Sequence, residues 1–190
     1  ALLALMLFQH SRRASRVNSA GDVITLEDQD RKLWDQTEIG EGVALLEKAA
    51  RRERRGPYLV QAAIAQCHAT ATTAADTNWA LIAGLYALLA ELIPSDVVML
   101  NWAVAIGMDK GPAAGIQRVD DLAAAGRLDG YYLLPATRAD LLRRLGRANE
   151  AAESYRQALD LAVNEAERRY LAGRLAEVTA AAGGNGSTPG

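Results

Sequence analysis

The sequence predicts an all-α protein built as an array of antiparallel helices, and three features indicate this fold. Half of the 190 residues are apolar, but only 5% are aromatic. Ala and Leu dominate the apolar residues, and both lose little side-chain entropy in a helix. Gly and Pro recur at intervals that divide the chain into helix-length segments. A chain of this length can bury one sizeable core and needs at most two domains.

Helix-breaking residues set the limits of the predicted helices. Pro57 and Pro112 can each occupy a first helical turn, where the missing N–H costs nothing. Ser95 is a candidate N-cap, and Gly146 is a candidate terminator. The predicted helices cover about residues 2–13, 31–54, 57–70, 77–93, 95–110, 112–126, 132–145, 148–163 and 165–182.

Residues 16–26 differ from the rest of the chain. Turn-forming residues at 18–22 precede the β-prone residues 23–26. This pattern is compatible with one short β-ribbon near residues 16–26. The Gly-rich residues 183–190 are predicted to be a disordered tail.

The spacing of small residues favours a tetratricopeptide-like repeat, a superhelix of α-α pairs. Two helices per unit give a period near 34 residues, as in tetratricopeptide repeats. Small residues are needed where two helices cross closely, and an aromatic residue fills the gap between adjacent units. The best match is Ala139, Gly146, Ala151, Tyr155 and Ala158.

A second, weaker copy of this pattern lies upstream. Its members are Ala103, Ile106, Gly115, Val119 and Leu122. Residues 79–86 also fit the opening helix of a repeat, but they fall on a helix that would otherwise be the second of its pair, so the register of residues 57–110 stays open. The last helix would shield the final apolar face of the array.

The charge balance argues against direct nucleic-acid binding. The formal net charge is −2, whereas neutralising several phosphates requires a clear cationic excess. The densest basic run, residues 51–55, ends a predicted helix, where cations complement the helix dipole.

The single cysteine, Cys67, excludes an internal disulfide and fits a reducing, cytoplasmic environment. The apolar start, residues 1–8, is too short to span a bilayer and lacks a preceding basic region, so neither a membrane span nor a signal peptide is expected. Ala1 stands where an initiator methionine would be, which indicates a piece of a longer protein.

The sequence contains none of the common catalytic, nucleotide-binding or metal-binding motifs. His10 and His68 are the only histidines. Cys67 and His68 are adjacent, so on a helix they point about 100° apart and are poorly placed to share a metal or to act as a nucleophile pair. We therefore expect no enzyme activity, no cofactor and no metal.

The most polar concentration in the chain is the segment 27–35. Carboxylates in a first helical turn favour the helix dipole, so N-terminal capping is one interpretation. A docking surface for a partner is the second, and a metal site is disfavoured because the carboxylates lack the spacing of a calcium loop. The candidate partner-binding residues are Glu27, Asp28, Gln29, Asp30, Arg31, Trp34 and Asp35.

A second candidate set would line the concave face, where helical arrays usually bind their partners. The same side chains could instead tie neighbouring helices together. This set contains Tyr58, Gln61, His68, Asn101 and Arg138. The tryptophans Trp34, Trp79 and Trp102 each lie on an apolar helix face and are predicted to pack in the core.

The chain resembles the C-terminal, tetratricopeptide-like extension of extracytoplasmic-function RNA polymerase sigma factors, and the likeness covers all but the tail. It rests on segments at 26–31, 34–35, 56–58, 61–65, 67–69, 79, 85–86, 94, 100–105, 111–112, 138–147 and 164–169. Trp102 and Asn78 depart from the family pattern, in which a basic residue and an Asp are expected.

The resemblance implies a regulatory domain of a bacterial transcription initiation factor. Residues 1–30 would then be the junction with upstream sigma modules, and residues 31–182 the helical domain. Its partners would be those modules, RNA polymerase through the full-length factor, and a regulatory protein. A sensor that binds a small molecule or peptide in the concave groove is the alternative function.

Overall fold

The computed structural model describes residues 1–52 and 56–184, and this part of the chain is all-α, as predicted. Within it we number the helices α1 to α9 in chain order. Their bounds are α1 Leu2–His10, α2 Gln36–Ala50, α3 Pro57–Ala69, α4 Trp79–Leu92, α5 Asp96–Lys110, α6 Pro112–Ala124, α7 Leu133–Arg144, α8 Ala148–Leu161 and α9 Glu165–Gly184.

The main difference from the predicted helices lies before α2. The predicted helix at 31–54 is divided into a 3-10 turn at Arg31–Leu33 and the α-helix that begins at Gln36. The division arises because Asp35 is extended and caps α2, with its side chain accepting from the backbone N–H groups of Thr37 and Glu38. The first helix also ends early, at His10, and a 3-10 turn follows at Arg13–Ser15.

The predicted β-ribbon is reduced to one contact. Val17 and Val23 form an isolated antiparallel bridge, and the described residues contain no β-strand. The side chain of Asn18 accepts from the N–H groups of Ala20 and Asp22, both at 2.9 Å. Backbone bonds from Asn18 N to Asp22 O at 3.0 Å and from Ile24 N to Arg16 O at 2.9 Å flank the bridge, so the segment is a tight turn with a single bridge.

Two predicted features lie partly outside the described residues. The basic run at 51–55 includes Glu53, Arg54 and Arg55, which are not described. The tail prediction covers 183–190, of which 185–190 are not described, while Gly183 belongs to α9.

The chain divides into two compact units, residues 1–99 and residues 100–190. The core of the first unit joins α1 to the turn before α2 and to the faces of α2 and α3. Its buried residues are Ala4, Phe8, Trp34, Ile39, Leu46, Ala62 and Ala69. Gly42 makes room for the ring of Phe8, because a Cβ at that position would lie 2.8 Å from Phe8 Cε1.

The second unit contains the predicted pairs of nested helices. Ala139, Ala151 and Ala158 are 0% exposed and Tyr155 is 1% exposed, so four of the five predicted positions are buried in one core cluster. Gly146 turns the chain between these helices with a φ of +73°, a conformation that favours glycine.

The weaker upstream copy is packed in the same way. Ala103 is 1% exposed and Val119 is 0% exposed. Gly115 lies where α6 crosses α5, and a Cβ there would be 2.9 Å from the carbonyl oxygen of Ala103. Close crossing on small residues therefore recurs in α5–α6 and α7–α8.

The three tryptophans, all predicted to pack in the core, differ in burial. Trp34 is buried, whereas Trp79 and Trp102 are only half-buried. The ring of Trp79 contacts His68, and the guanidinium of Arg118 lies over Trp102. These two rings therefore pack at the edge of the fold, where polar side chains cover part of their surface.

Candidate functional site

The carboxylates of the segment 27–35 mostly hold local backbone. Asp30 accepts from the N–H of Lys32 at 2.9 Å, and Asp35 accepts from Thr37 and Glu38, each at 3.1 Å. The two bonds to the backbone, with the largest effect from Glu38, lower the pKa of Asp35. Capping therefore occurs at Asp30 and Asp35, and partner binding at this segment stays a prediction.

Two of the predicted partner-binding residues, Gln29 and Trp34, are buried within this chain. Trp34 is 3% exposed and Gln29 is 8% exposed. The indole N–H of Trp34 donates to Ser15 Oγ at 2.9 Å, and the Gln29 amide donates to the Ile24 carbonyl at 3.1 Å. Both side chains face inward because their polar atoms find partners there. Glu27 and Asp28 remain exposed.

Arg31 connects this segment to the end of α3 and the loop that follows. Its Nη1 donates to the carbonyl oxygens of His68 at 2.6 Å and Ala71 at 2.8 Å. Its Nη2 lies 3.5 Å from the Thr77 hydroxyl. The guanidinium carbon also lies 4.6 Å from the centre of the Trp34 ring, within the range of a cation–π contact. Arg31 thus serves as a cationic C-cap for α3 from a distant segment.

Among the concave-face candidates, His68 is the residue that contacts the segment 27–35, through the bond from Arg31 to its carbonyl oxygen. Its ring contacts the edge of Trp79 with a centroid separation of 5.2 Å, and its Nδ1 is buried without a hydrogen-bond partner in the described residues. Burial, together with the charges of Arg12 and Arg31, lowers the pKa of His68 to about 4. The imidazole is therefore neutral at physiological pH and is poorly suited to general acid–base work.

The other candidates of the second set do not join this cluster. Tyr58 is 52% exposed at the first turn of α3, while His68 lies in the last turn of that helix. Gln61 is half-buried on α3, and Asn101 is exposed on α5. The predicted set therefore does not form one lining.

Arg138, the last member of the second set, ties helices together. It binds Asp120 at 2.7 Å and Ser154 Oγ at 3.1 Å. These contacts join α6, α7 and α8, which is the alternative role that the sequence left open for this residue.

A cavity of about 560 Å³ borders the exposed Tyr58. It lies among the start of α1, the last turns of α2 and the start of α3. Its lining includes Leu2, Leu45, Lys48, Ala49, Pro57 and Tyr58. The lining combines apolar surface with two cationic residues, Lys48 and Arg52, which suits binding more than catalysis.

We call Trp34, Arg31 and three neighbouring residues the Trp34 cluster. Sequence reasoning missed these three residues, which are Ser15, Arg12 and Arg16. Ser15 accepts the indole N–H. The guanidinium carbon of Arg12 lies 5.8 Å from the Trp34 ring centre, and Arg16 shares the acceptor Gln9 with Arg12. The i, i+4 spacing of Arg12 and Arg16 is the sequence signal that could have placed them together.

Nucleophilic and metal chemistry find little support in the described part of the chain. Burial raises the pKa of the Cys67 thiol, which disfavours the reactive thiolate. Within residues 1–52 and 56–184, no group of three or more His, Cys, Asp or Glu side chains is arranged to hold a metal ion. Across the same residues, no helix combines the length and apolar character required to cross a bilayer.

Comparison with known proteins gives similarity without a functional description. A model for a family of unknown function, DUF6596, matches residues 1–50. An uncharacterized protein of Rhizobium meliloti (strain 1021) is 44% identical over 179 residues, which are 94% of this chain and 42% of that protein. The chain therefore spans less than half the length of this curated relative. No solved structure matches.

Proposed function

We propose that this chain is a non-enzymatic regulatory domain of a bacterial, cytoplasmic RNA polymerase sigma factor. It acts through protein–protein contacts with the upstream modules of the same factor and thereby controls transcription initiation. It needs no cofactor, and it leaves promoter binding to those modules.

The observation that carries this proposal is the nesting of α5–α6 and α7–α8 on small residues. Helix pairs that cross on buried Ala and Gly build an extended surface and leave little enclosed space for chemistry. The 44% identical relative, more than twice the length of this chain, has room for further modules. The sigma-factor assignment itself rests on the sequence resemblance.

The exposed pair Glu27 and Asp28 is the best test surface, because neither caps α2 and both lie beside buried, well-fixed neighbours. The test uses the full-length factor carrying Glu27→Lys with Asp28→Lys. The control variant is Glu41→Lys, which reverses one exposed charge on α2.

We expect the double variant to fold and to change promoter output in a reconstituted transcription assay by severalfold. The control is expected to leave output unchanged. Unchanged output from the normally folded double variant would remove this contact surface. A gene that encodes no DNA-binding or polymerase-binding module beside this chain would contradict the sigma-factor assignment.

A further inference from the structure

Of the three arginines that follow α1, two have no carboxylate partner among the described residues. Arg12 and Arg16 form no ion pair with any described residue, whereas the neighbouring Arg13 binds Glu38 at 3.1 Å. Arg31 adds a third guanidinium, since Arg12 and Arg31 both lie against the Trp34 ring. Burial, together with the charges of Arg16 and Arg31, lowers the pKa of Arg12 to about 10.

Arg12 and Arg16 converge on one neutral acceptor. Their Nη2 atoms lie 2.6 Å and 3.1 Å from Gln9 Oε1, so these two nitrogens are at most about 6 Å apart. Arg16 Nη2 also donates to the Gln9 carbonyl. A single amide oxygen cannot neutralise two guanidinium charges, and their repulsion persists at this distance.

Both arginines retain N–H donors that have no acceptor among the described residues. Each guanidinium has five N–H groups, yet only Nη2 of Arg12 and of Arg16 has an acceptor among the described residues. Arg16 is exposed and Arg12 is half-buried, and the Nε and Nη1 atoms of Arg12 are not among the buried atoms that lack a partner. Guanidinium N–H groups without a protein acceptor suit the oxygens of an anion.

We propose that Arg12 and Arg16 form a binding site for a small oxyanion of the phosphate type. The anion accepts hydrogen bonds from N–H groups of these two arginines that Gln9 leaves free, with at least one bond from each guanidinium. Arg31, held against Trp34 and the end of α3, adds a fixed positive charge behind the site. This inference is independent of the regulatory role proposed above.

The test is titration of the 190-residue chain with inorganic phosphate, with chloride at matched ionic strength as the reference. Isothermal calorimetry should give saturable binding, and phosphate should raise the melting temperature, because a ligand that binds only the folded state stabilises it. Equal melting temperatures in phosphate and chloride, with no calorimetric signal, would overturn the proposal.

Arg16→Met is the most informative variant, since Arg16 is exposed and its side chain hydrogen-bonds, among the described residues, to Gln9. Without phosphate its melting temperature should equal or exceed that of the wild type, because a repulsive neighbour of Arg12 is gone. Its phosphate Kd should rise roughly tenfold or more, as expected for losing charge-assisted hydrogen bonds. Wild-type phosphate affinity in this variant would also overturn the proposal.

Arg118→Met is the matched control. Arg118 lies 5.1 Å from the centre of the Trp102 ring, so the variant removes an arginine stacked on a tryptophan in the other unit and spares the cluster. Its phosphate affinity should equal that of the wild type. A comparable loss of affinity in this control would assign the binding to general surface charge and refute the site.

Discussion

Gly115 allows the backbones of α5 and α6 to approach more closely than any larger residue would permit. A Cβ at this position would lie 2.9 Å from both the Ala103 carbonyl oxygen and the Gly107 Cα, and 3.0 Å from Leu141 Cδ1. Two of these three neighbours are backbone atoms, which cannot move aside as the end of a side chain can. The crossing therefore depends on the absence of a side chain.

Gly115→Ala should lower the free energy of unfolding by about 1–3 kcal/mol, the usual cost of overpacking a core. Gly173→Ala in α9 is the control, because nothing lies within 4 Å of the position that its Cβ would occupy. The control should be stabilised by about 0.5–1 kcal/mol through helix propensity. Denaturant unfolding checks both variants, and a neutral Gly115→Ala would contradict the close crossing.

His68 predicts a pH dependence of stability between about pH 6.5 and 4. Its pKa is about 4 in the folded chain, against an ordinary value of 6.5, so the unfolded chain binds more protons in this interval. The free energy of unfolding therefore falls as the pH drops from 6.5 to 4, by at most about 3.4 kcal/mol at about 1.36 kcal/mol per pKa unit.

The measurement compares wild type and His68→Gln by denaturant unfolding across this interval. The variant lacks the titrating group, so the stability difference between the two proteins should shift with pH in the variant's favour as the solution becomes more acidic. A constant difference, or an NMR titration that places the His68 pKa at its ordinary value, would contradict the buried neutral imidazole.

At the scale of the element, α4 depends on the residue that precedes it. The side chain of Asn78 accepts from the N–H of Leu81 at 3.0 Å, and the helix begins at the next residue, Trp79. Asn78→Ala removes this cap and should cost about 0.5–2 kcal/mol of stability, whereas Asn78→Asp retains an acceptor and should cost little. Thermal unfolding checks the pair, and equal melting temperatures for both variants would rule out the cap.

Helix positions could be predicted from local signals, because Pro57, Pro112 and Gly146 act within a turn of their own positions. The start of α2 could not be predicted in this way. The residues before Asp35 are compatible with a continuous helix, but Asp35 adopts an extended backbone and caps α2 instead. The close helix crossing could be predicted from Ala139 and Ala151. Both are 0% exposed, and packing this tight leaves no room for a larger side chain.

The Trp34 cluster was only half predictable for a different reason. Arg31 and Trp34 stand near each other in sequence, so their polar and aromatic character was visible. Their contacts with Arg12, Ser15 and the end of α3 require segments from residues 12 to 77 to meet. Only tertiary packing brings these segments together. The sequence alone gave no reason to place the arginines that follow α1 beside Trp34.

At the scale of the whole molecule, charge distinguishes a single anion site from a nucleic-acid surface. The net charge of −2 gives the chain no overall cationic excess, and affinity for duplex DNA grows with the number of phosphates neutralised. The isolated chain should therefore bind duplex DNA no more tightly than about 10⁻⁴ M at physiological salt. Fluorescence anisotropy with labelled duplex checks this. A Kd in the nanomolar range would contradict the proposal that promoter binding belongs to the upstream modules.

Arg31 also affects how the first unit would respond to proteolytic cleavage of the loop between α3 and α4. Its guanidinium reaches the carbonyl oxygens of His68 and Ala71 on one side of the α3–α4 loop and the hydroxyl of Thr77 on the other. A protease that nicks the loop at the exposed Thr72 or Thr73 would create two fragments whose new ends still meet at the same side chain. The cut protein would migrate as one species under native conditions and separate into two only when denatured.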